Sequence, residues 1–416
     1  MKKIRHIILF LLLVFPSASP AWWPVFRGNF RHNGKSDYEG PSNPRIKWVF
    51  EGAGIYNLHS PLIGKDGTIF VQKGTGDYMR GNDAIYALKP DGNMKWKYSR
   101  PELLFSPPAL SPDGTLYAVA TKAAITQGEK NDSYLLAIDA ATGKLKREMY
   151  MSEHFTETWM SHIAADSSGR VYVRGGDVLS AYMPDGERLW SYRTLMGADY
   201  GYAEHSSGPT LSPDEKTIYF LKRVGGGLLA LDAATGKIKW TKDIEFYTDY
   251  SSPVVAPDGV LYVPDMATKT LYALSPSGEV RWKAILEGKH NNSFPTAGAN
   301  GTLYYTTEEV KQEDGGTVFA LDEKNGNVKW RYKIKKGYIA SPPTIDKNGL
   351  IYLGSGDGYL HCLTPDGNLK WKIKVGLDIP DLDQIYMSEP VLNGKTIYIV
   401  SGPLAKWARL VAVGQE

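Results

Sequence analysis

The stretch Ser252–Trp282, SPVVAPDGVLYVPDMATKTLYALSPSGEVRW, decides the fold, and Ser341–Trp371, SPPTIDKNGLIYLGSGDGYLHCLTPDGNLKW, repeats it. Each begins with Ser-Pro and a short apolar run, then turns at a Gly. An apolar-Tyr strand follows (Leu261-Tyr262-Val263; Ile351-Tyr352-Leu353), then a second apolar strand, a second Gly turn and a closing Trp. The strands alternate with the period of two expected of half-buried β-structure and are rich in β-branched and aromatic residues. Working outward, the closing Trp recurs at Trp96, Trp190, Trp240, Trp282, Trp330 and Trp371, with Arg147 in its place once and Trp48 isolated near the N-terminus. Successive closing positions lie 41 to 51 residues apart. Four short strands in such a period make one propeller blade per repeat.

The last repeat starts at Ser388-Glu389-Pro390, continues through Thr396–Val400 and Leu410–Val413, and stops without a closing strand. The missing strand stands at the other end, in Ile46-Lys47-Trp48-Val49-Phe50. The sequence therefore predicts an all-β, eight-bladed propeller of four-stranded blades over 46–416, its closing blade shared by the two termini, which removes exposed sheet edges along the array. Residues 22–45 read as a lead-in. The turns Pro112-Asp113-Gly114, Pro184-Asp185-Gly186, Pro257-Asp258-Gly259 and Pro365-Asp366-Gly367 place Pro and Gly where φ must be preset or positive. The 43 Gly and 25 Pro are thus hairpin punctuation.

A chain of 416 residues exceeds one ordinary core, a limit a propeller escapes because each blade packs on its neighbours. Residues 1–21 read as a secretory signal: Lys2, Lys3 and Arg5, then apolar Ile7–Phe15, then small residues at Ser19-Pro20-Ala21. The apolar run is too short to span a bilayer, which takes roughly 20 residues. The expected mature chain has no transmembrane segment and carries 45 basic and 45 acidic side chains, a balance that favours neither nucleic acid nor an anionic membrane as partner. The single Cys362 forms no internal disulfide and reads as a small buried thiol. No Cys-x-x-Cys-His attaches a haem, and no Cys follows the leader to carry lipid.

The segment Ala230–Trp240, ALDAATGKIKW, resembles the tryptophan-docking motif of the pyrroloquinoline-quinone (PQQ) repeat superfamily. Ala320–Trp330 repeats it with Asn325 for Thr, Ala137–Arg147 loses only the Trp, and Ala87–Trp96, Ala181–Trp190 and Ala273–Trp282 use a turn one residue shorter. The lead-in Trp23-Pro24-Val25-Phe26-Arg27-Gly28 with Asn33-Gly34 is similar to the opening of many exported members. The resemblance covers nearly all of the expected mature chain and implies a structural role for the motif, the Trp packing between blades. It names several functions: quinoprotein dehydrogenases, the outer-membrane assembly lipoprotein BamB, and other exported propellers. The chain departs from the dehydrogenases in lacking a Cys pair, and from BamB in lacking a Cys for lipid attachment.

A site is expected where each chain segment enters its innermost strand, at the mouth of the central channel. That register holds Tyr56, His59, Trp159, His162, Glu204, His205, Asp249, Tyr250, His290, Asn291, Tyr338 and Tyr386. Converging imidazoles with Glu204 or Asp249 would suit a cation; the aromatic groups would suit a peptide or small ligand; a plain solvated channel would also look like this. No catalytic residue is expected: a Gly-x-Ser-x-Gly elbow and a phosphate-cradling Gly loop are both missing from the sequence. The insertions Lys122–Ser133 and Gly376–Met387, the latter with Asp378, Asp381 and Asp383, read as solvated loops. The expected function is an exported binding or scaffolding module, periplasmic or extracellular, not lipid-anchored and monomeric, whose partner is an envelope or extracellular protein or peptide, with no cofactor. The alternative is a quinoprotein-type oxidoreductase using PQQ and calcium at the channel mouth.

Overall fold

A computed structural model describes residues 22–415 except 26, 52–59, 74–82, 102, 123–131, 152–161, 176–177, 194–207, 222–226, 244–251, 290–293, 299, 310–313, 336–340, 377–384 and 404–407. The described chain forms eight antiparallel sheets and no helix of α length. In blade 5, Val254–Val255, Leu261–Asp265, Thr270–Leu274 and Val280–Ile285 pair in sequence order from the axis outward. The other blades repeat this. In blades 2 and 8 the innermost strand is split by its Ser-Pro segment, so that Leu103–Phe105 with Ala109–Leu110, and Tyr386–Met387 with Val391–Asn393, each share one neighbouring strand.

Blade 8 is composite, as the sequence predicts. Arg45–Phe50 lies antiparallel beside Arg409–Gly414, with Ile46 opposite Val413 and Phe50 opposite Leu410. Because every blade is an up-and-down meander, the Ser-Pro entries all lie at one end of the ring, the mouth. The hairpin turns after the innermost strands, each with a positive-φ residue (a Gly in every blade but the fourth, where it is Glu215), lie at the other.

The core lies between blades. Tyr262, Leu271 and Ala273 of blade 5 pack with Leu303, Tyr305 and Phe319 of blade 6, all buried, and comparable clusters fill the other seams. The closing Trp rivets each seam. Trp240 leans on Tyr219 of its own blade, ring centroids 5.8 Å apart, and its Nε1 donates to the Pro276 carbonyl of the next blade at 3.0 Å. The indole lies over Gly278, where φ is +86° and an added Cβ would fall 3.0 Å from the ring. Six further Trp repeat the bond: Trp48 to Pro90, Trp96 to Ala140, Trp190 to Ala233, Trp282 to Glu323, Trp330 to Pro365 and Trp371 to Pro41. Arg147, the exception, makes the same bond through Nη1 to Pro184 at 3.2 Å, while its aliphatic stem and Met149 cover Gly186. The motif is thus an inter-blade joint, the structural role the resemblance implies. Cys362 is buried beside Tyr352, and burial pushes its thiol up to about 12.

Candidate functional site

Two of the twelve expected mouth residues are described, and both stand at the entry to an innermost strand. His162 begins His162–Ala165 and Tyr386 begins Tyr386–Met387; each is half-buried. Tyr56, His59, Trp159, Glu204, His205, Asp249, Tyr250, His290, Asn291 and Tyr338 lie outside the described residues, as do 123–131 and 377–384 of the two insertions.

Below the mouth, the axis is built from residues the register did not single out. The lead-in crosses the turn end of the ring and dips into the channel. Trp23 exchanges backbone hydrogen bonds with Ile63 of blade 1; the Pro24, Phe30 and Arg31 carbonyls accept from Leu110, Leu211 and Val255 of blades 2, 4 and 5. Each of these partners ends an innermost strand, just before its turn. Ile345 of blade 7 is gripped twice, donating to Gly34 and accepting from Ser36. Blade 3 is reached by packing, through Val25 and Phe30.

Arg27 occupies the axis, fully buried. Its five N–H donors are all used. Nε donates to the His32 carbonyl at 3.2 Å, Nη1 to Pro343 O at 3.1 Å and Glu389 Oε1 at 2.9 Å, and Nη2 to Pro295 O at 2.7 Å and Thr296 Oγ1 at 2.5 Å. Glu389, equally buried, also accepts the Arg27 backbone N–H at 2.9 Å. Burial lowers the Arg27 pKa and raises that of Glu389 to about 7, each shift opposed by the other partner's charge. Such a pair is costly to bury and more costly to break on one side. A Thr belt supports it: Thr296 donates to Pro343 O and Thr344 to Pro390 O, each across a seam, at 2.7 Å.

The conformation that delivers Arg27 is a tight loop. Arg27 and His32 both adopt positive φ, 68° and 56°, which non-glycine residues seldom do unless their surroundings fix them. Gly34, at φ +63°, leaves only 2.8 Å between an added Cβ and the Arg27 guanidinium, so no side chain fits there. His32 packs beside Gly208 and within electrostatic reach of His162. Burial, then His162, then Arg27 hold its pKa down at about 3, so the ring is neutral.

Sequence signals for this assembly existed. Glu389 is the one acid inside a Ser-x-Pro entry, and Arg27 stands in the quoted lead-in motif. Neither repeats, so the blade register did not bring them together.

The axis therefore offers a filled channel, closed at the turn end. Among the described residues no group of three or more His, Cys, Asp or Glu is placed to hold a metal ion. The acid on the axis, Glu389, is committed to Arg27, so the described part of the channel does not fit a calcium–quinone site. A shallow cavity of about 300 Å³ lies at the turn end, walled by Trp22, Phe30 and Arg31 of the lead-in and by Pro112, Asp166 and Glu215 of blades 2 to 4. Asp166 is saturated by Arg170, Tyr172 and Ser168, and Glu215 by Ser167 on one oxygen.

The fold and its joints define a class: an eight-bladed β-propeller of PQQ repeats. A family model described as outer membrane protein assembly factor BamB matches residues 226–414. The outer membrane protein assembly factor BamB of Bordetella pertussis is 25% identical over 324 residues, 71% of this chain and 74% of that one. Two solved structures share the fold. BamB from Moraxella catarrhalis has a TM-score of 0.58 at 16% identity, covering 89% of this chain and 98% of its own. The quinohemoprotein alcohol dehydrogenase from Comamonas testosteroni has a TM-score of 0.71 at 13% identity, covering 96% and 82%. The chain is a PQQ-repeat, BamB-like β-propeller.

Proposed function

We propose that this protein is an exported, non-catalytic propeller that binds or scaffolds an envelope protein or peptide, in outer membrane protein assembly or a kindred task. The observation that carries the reading is the axis. Below the mouth this chain packs its own Arg27 and Glu389, every guanidinium donor spent on protein. The relatives named as outer membrane protein assembly factors support the same reading. The partner surface proposed is the mouth, whose aromatic residues would supply contact area.

The leader-like residues 1–21 support export to the periplasm or medium. A quinoprotein function remains the second reading, favoured by the shared fold of the dehydrogenases. It would need its PQQ and calcium ligands from mouth residues such as Glu204 and Asp249.

Native mass spectrometry of the protein purified from its source decides between the readings. The scaffold is expected to carry a stoichiometric envelope protein or peptide and no quinone. A quinone with calcium at one per chain, and dye-coupled alcohol oxidation on adding both to the apoprotein, would overturn it.

A further inference from the structure

The lead-in does more than precede the propeller, and two independent observations show what it replaces. The first is the joint after blade 7. At every other seam the indole or guanidinium donates to a carbonyl in the hairpin turn between the third and fourth strands of the next blade. Blade 8 has no such turn, because its third and fourth strands come from opposite ends of the chain. Pro41 of the lead-in supplies the carbonyl instead, accepting from Trp371 Nε1 at 3.1 Å. Beside it, Ser42 donates through N and Oγ to Gln415 Oε1 at 3.1 and 3.0 Å, joining the termini where the hairpin would be. Gly40 lies so close over Tyr352 that a Cβ would clash with its hydroxyl.

The second is Arg27, whose donors reach blades 6, 7 and 8 together and whose loop is held at otherwise unfavourable φ values. Those three blades are consecutive at the C-terminal end of the chain, whereas the residue that ties them together comes from its N-terminal end. A fork of five fixed donors suits this, whereas a lysine ammonium presents a single point charge on a flexible stem.

We propose that residues 22–42 are a cis-acting clasp: a peptide ligand of the ring's own axial channel, anchored by Arg27, that locks blades 6, 7 and 8 and stands in for the hairpin blade 8 lacks. The ring without it is an open receptor for that peptide. The channel is accordingly a peptide-binding site already occupied in cis, and partners meet the protein from the mouth or the rim.

The test separates the clasp from the ring after folding. A protease sequence inserted after Asn43, an exposed position, lets the folded full-length protein be nicked between the lead-in and the Arg45–Phe50 strand. The nicked parent is expected to keep its N-terminal piece at micromolar concentration by native mass spectrometry. The nicked Arg27→Lys protein, its charge retained, is expected to lose the piece at least ten-fold more readily. Adding back a synthetic 22–42 peptide should raise the melting midpoint of the emptied ring, and the Arg27→Lys peptide should not. If the emptied ring aggregates, refolding yield with either peptide gives the same comparison. Release of the parental piece, or equal behaviour of the two peptides, overturns the proposal.

Discussion

At the scale of single residues, the repeat works because one indole does three things. It leans on an aromatic of its own blade, covers a left-handed Gly of the next and donates one hydrogen bond across the seam. The residues differ in how deeply they are set. Trp282 is 8% exposed and belongs to a core cluster, whereas Trp240 is half-buried. Trp282→Ala is therefore expected to cost about 3–5 kcal/mol, as for other buried aromatics, and Trp240→Ala about 2 kcal/mol. Chemical denaturation of the two variants checks the order; equal losses would mean that burial depth does not set the cost, and a loss under about 1 kcal/mol at Trp282 would remove the joint from the list of what holds blades together. Arg147→Trp tests the same seat from the other side. Gly186, at φ +97°, is covered by Met149 and by the Arg147 stem that the indole would replace. The change should be neutral or stabilising by no more than about 1 kcal/mol, since the incoming ring must displace Met149 as it covers Gly186.

At the scale of elements, the blades and the composite closure were legible in the sequence because both follow from a period. The Trp spacing counts blades, and a repeat that ends early while another begins late must share one sheet. The observed strand starts at Arg45, one residue before the expected Ile46, a fraying difference of no consequence. The lead-in's role was not legible, because it has no period. Arg27, His32 and Glu389 are 362 residues apart at the extremes and meet only once the ring is closed. The closure itself invites a covalent check. Val49 faces Val411 across the antiparallel ladder, and facing Cα atoms in such a ladder are about 4.5–5.5 Å apart, within disulfide range. Val49→Cys with Val411→Cys is expected to oxidise to a cross-link that joins the first and last strands and raises the melting midpoint. Failure to form under air oxidation, with Cys362 still reduced in the core, would mean the two strands are not neighbours.

At the scale of the whole molecule, the buried titratable groups set how stability varies with pH. His32 and His361 are buried and neutral, their pKa values held down at about 3 and about 4, chiefly by loss of solvent. In the unfolded chain both bind a proton near 6.5, so the unfolded state takes up more protons on acidification. Their contribution is intact above pH 6.5 and is lost as pH falls toward 4, at about 1.4 kcal/mol per pH unit for each group. Glu389 runs the other way. Its folded pKa of about 7 exceeds the unfolded value near 4.5, so the folded state gains protons first and is favoured as pH falls from 7 to 4.5. Two imidazoles oppose one carboxyl, and the imidazole shifts are together the larger. Net acid destabilisation below pH 6.5 is therefore expected. Replacing His361 by Asn should flatten the loss. Glu389→Gln should lower stability at pH 7, since it leaves Arg27 charged and unpaired on the axis, and should steepen the acid loss by removing the opposing group. Urea unfolding at half-unit steps from pH 8 to 4 reads all three slopes. A parental curve that rises on acidification would mean that the carboxyl dominates, and that a protonated Glu389 holds the axis as a neutral acceptor beside the charged Arg27 guanidinium.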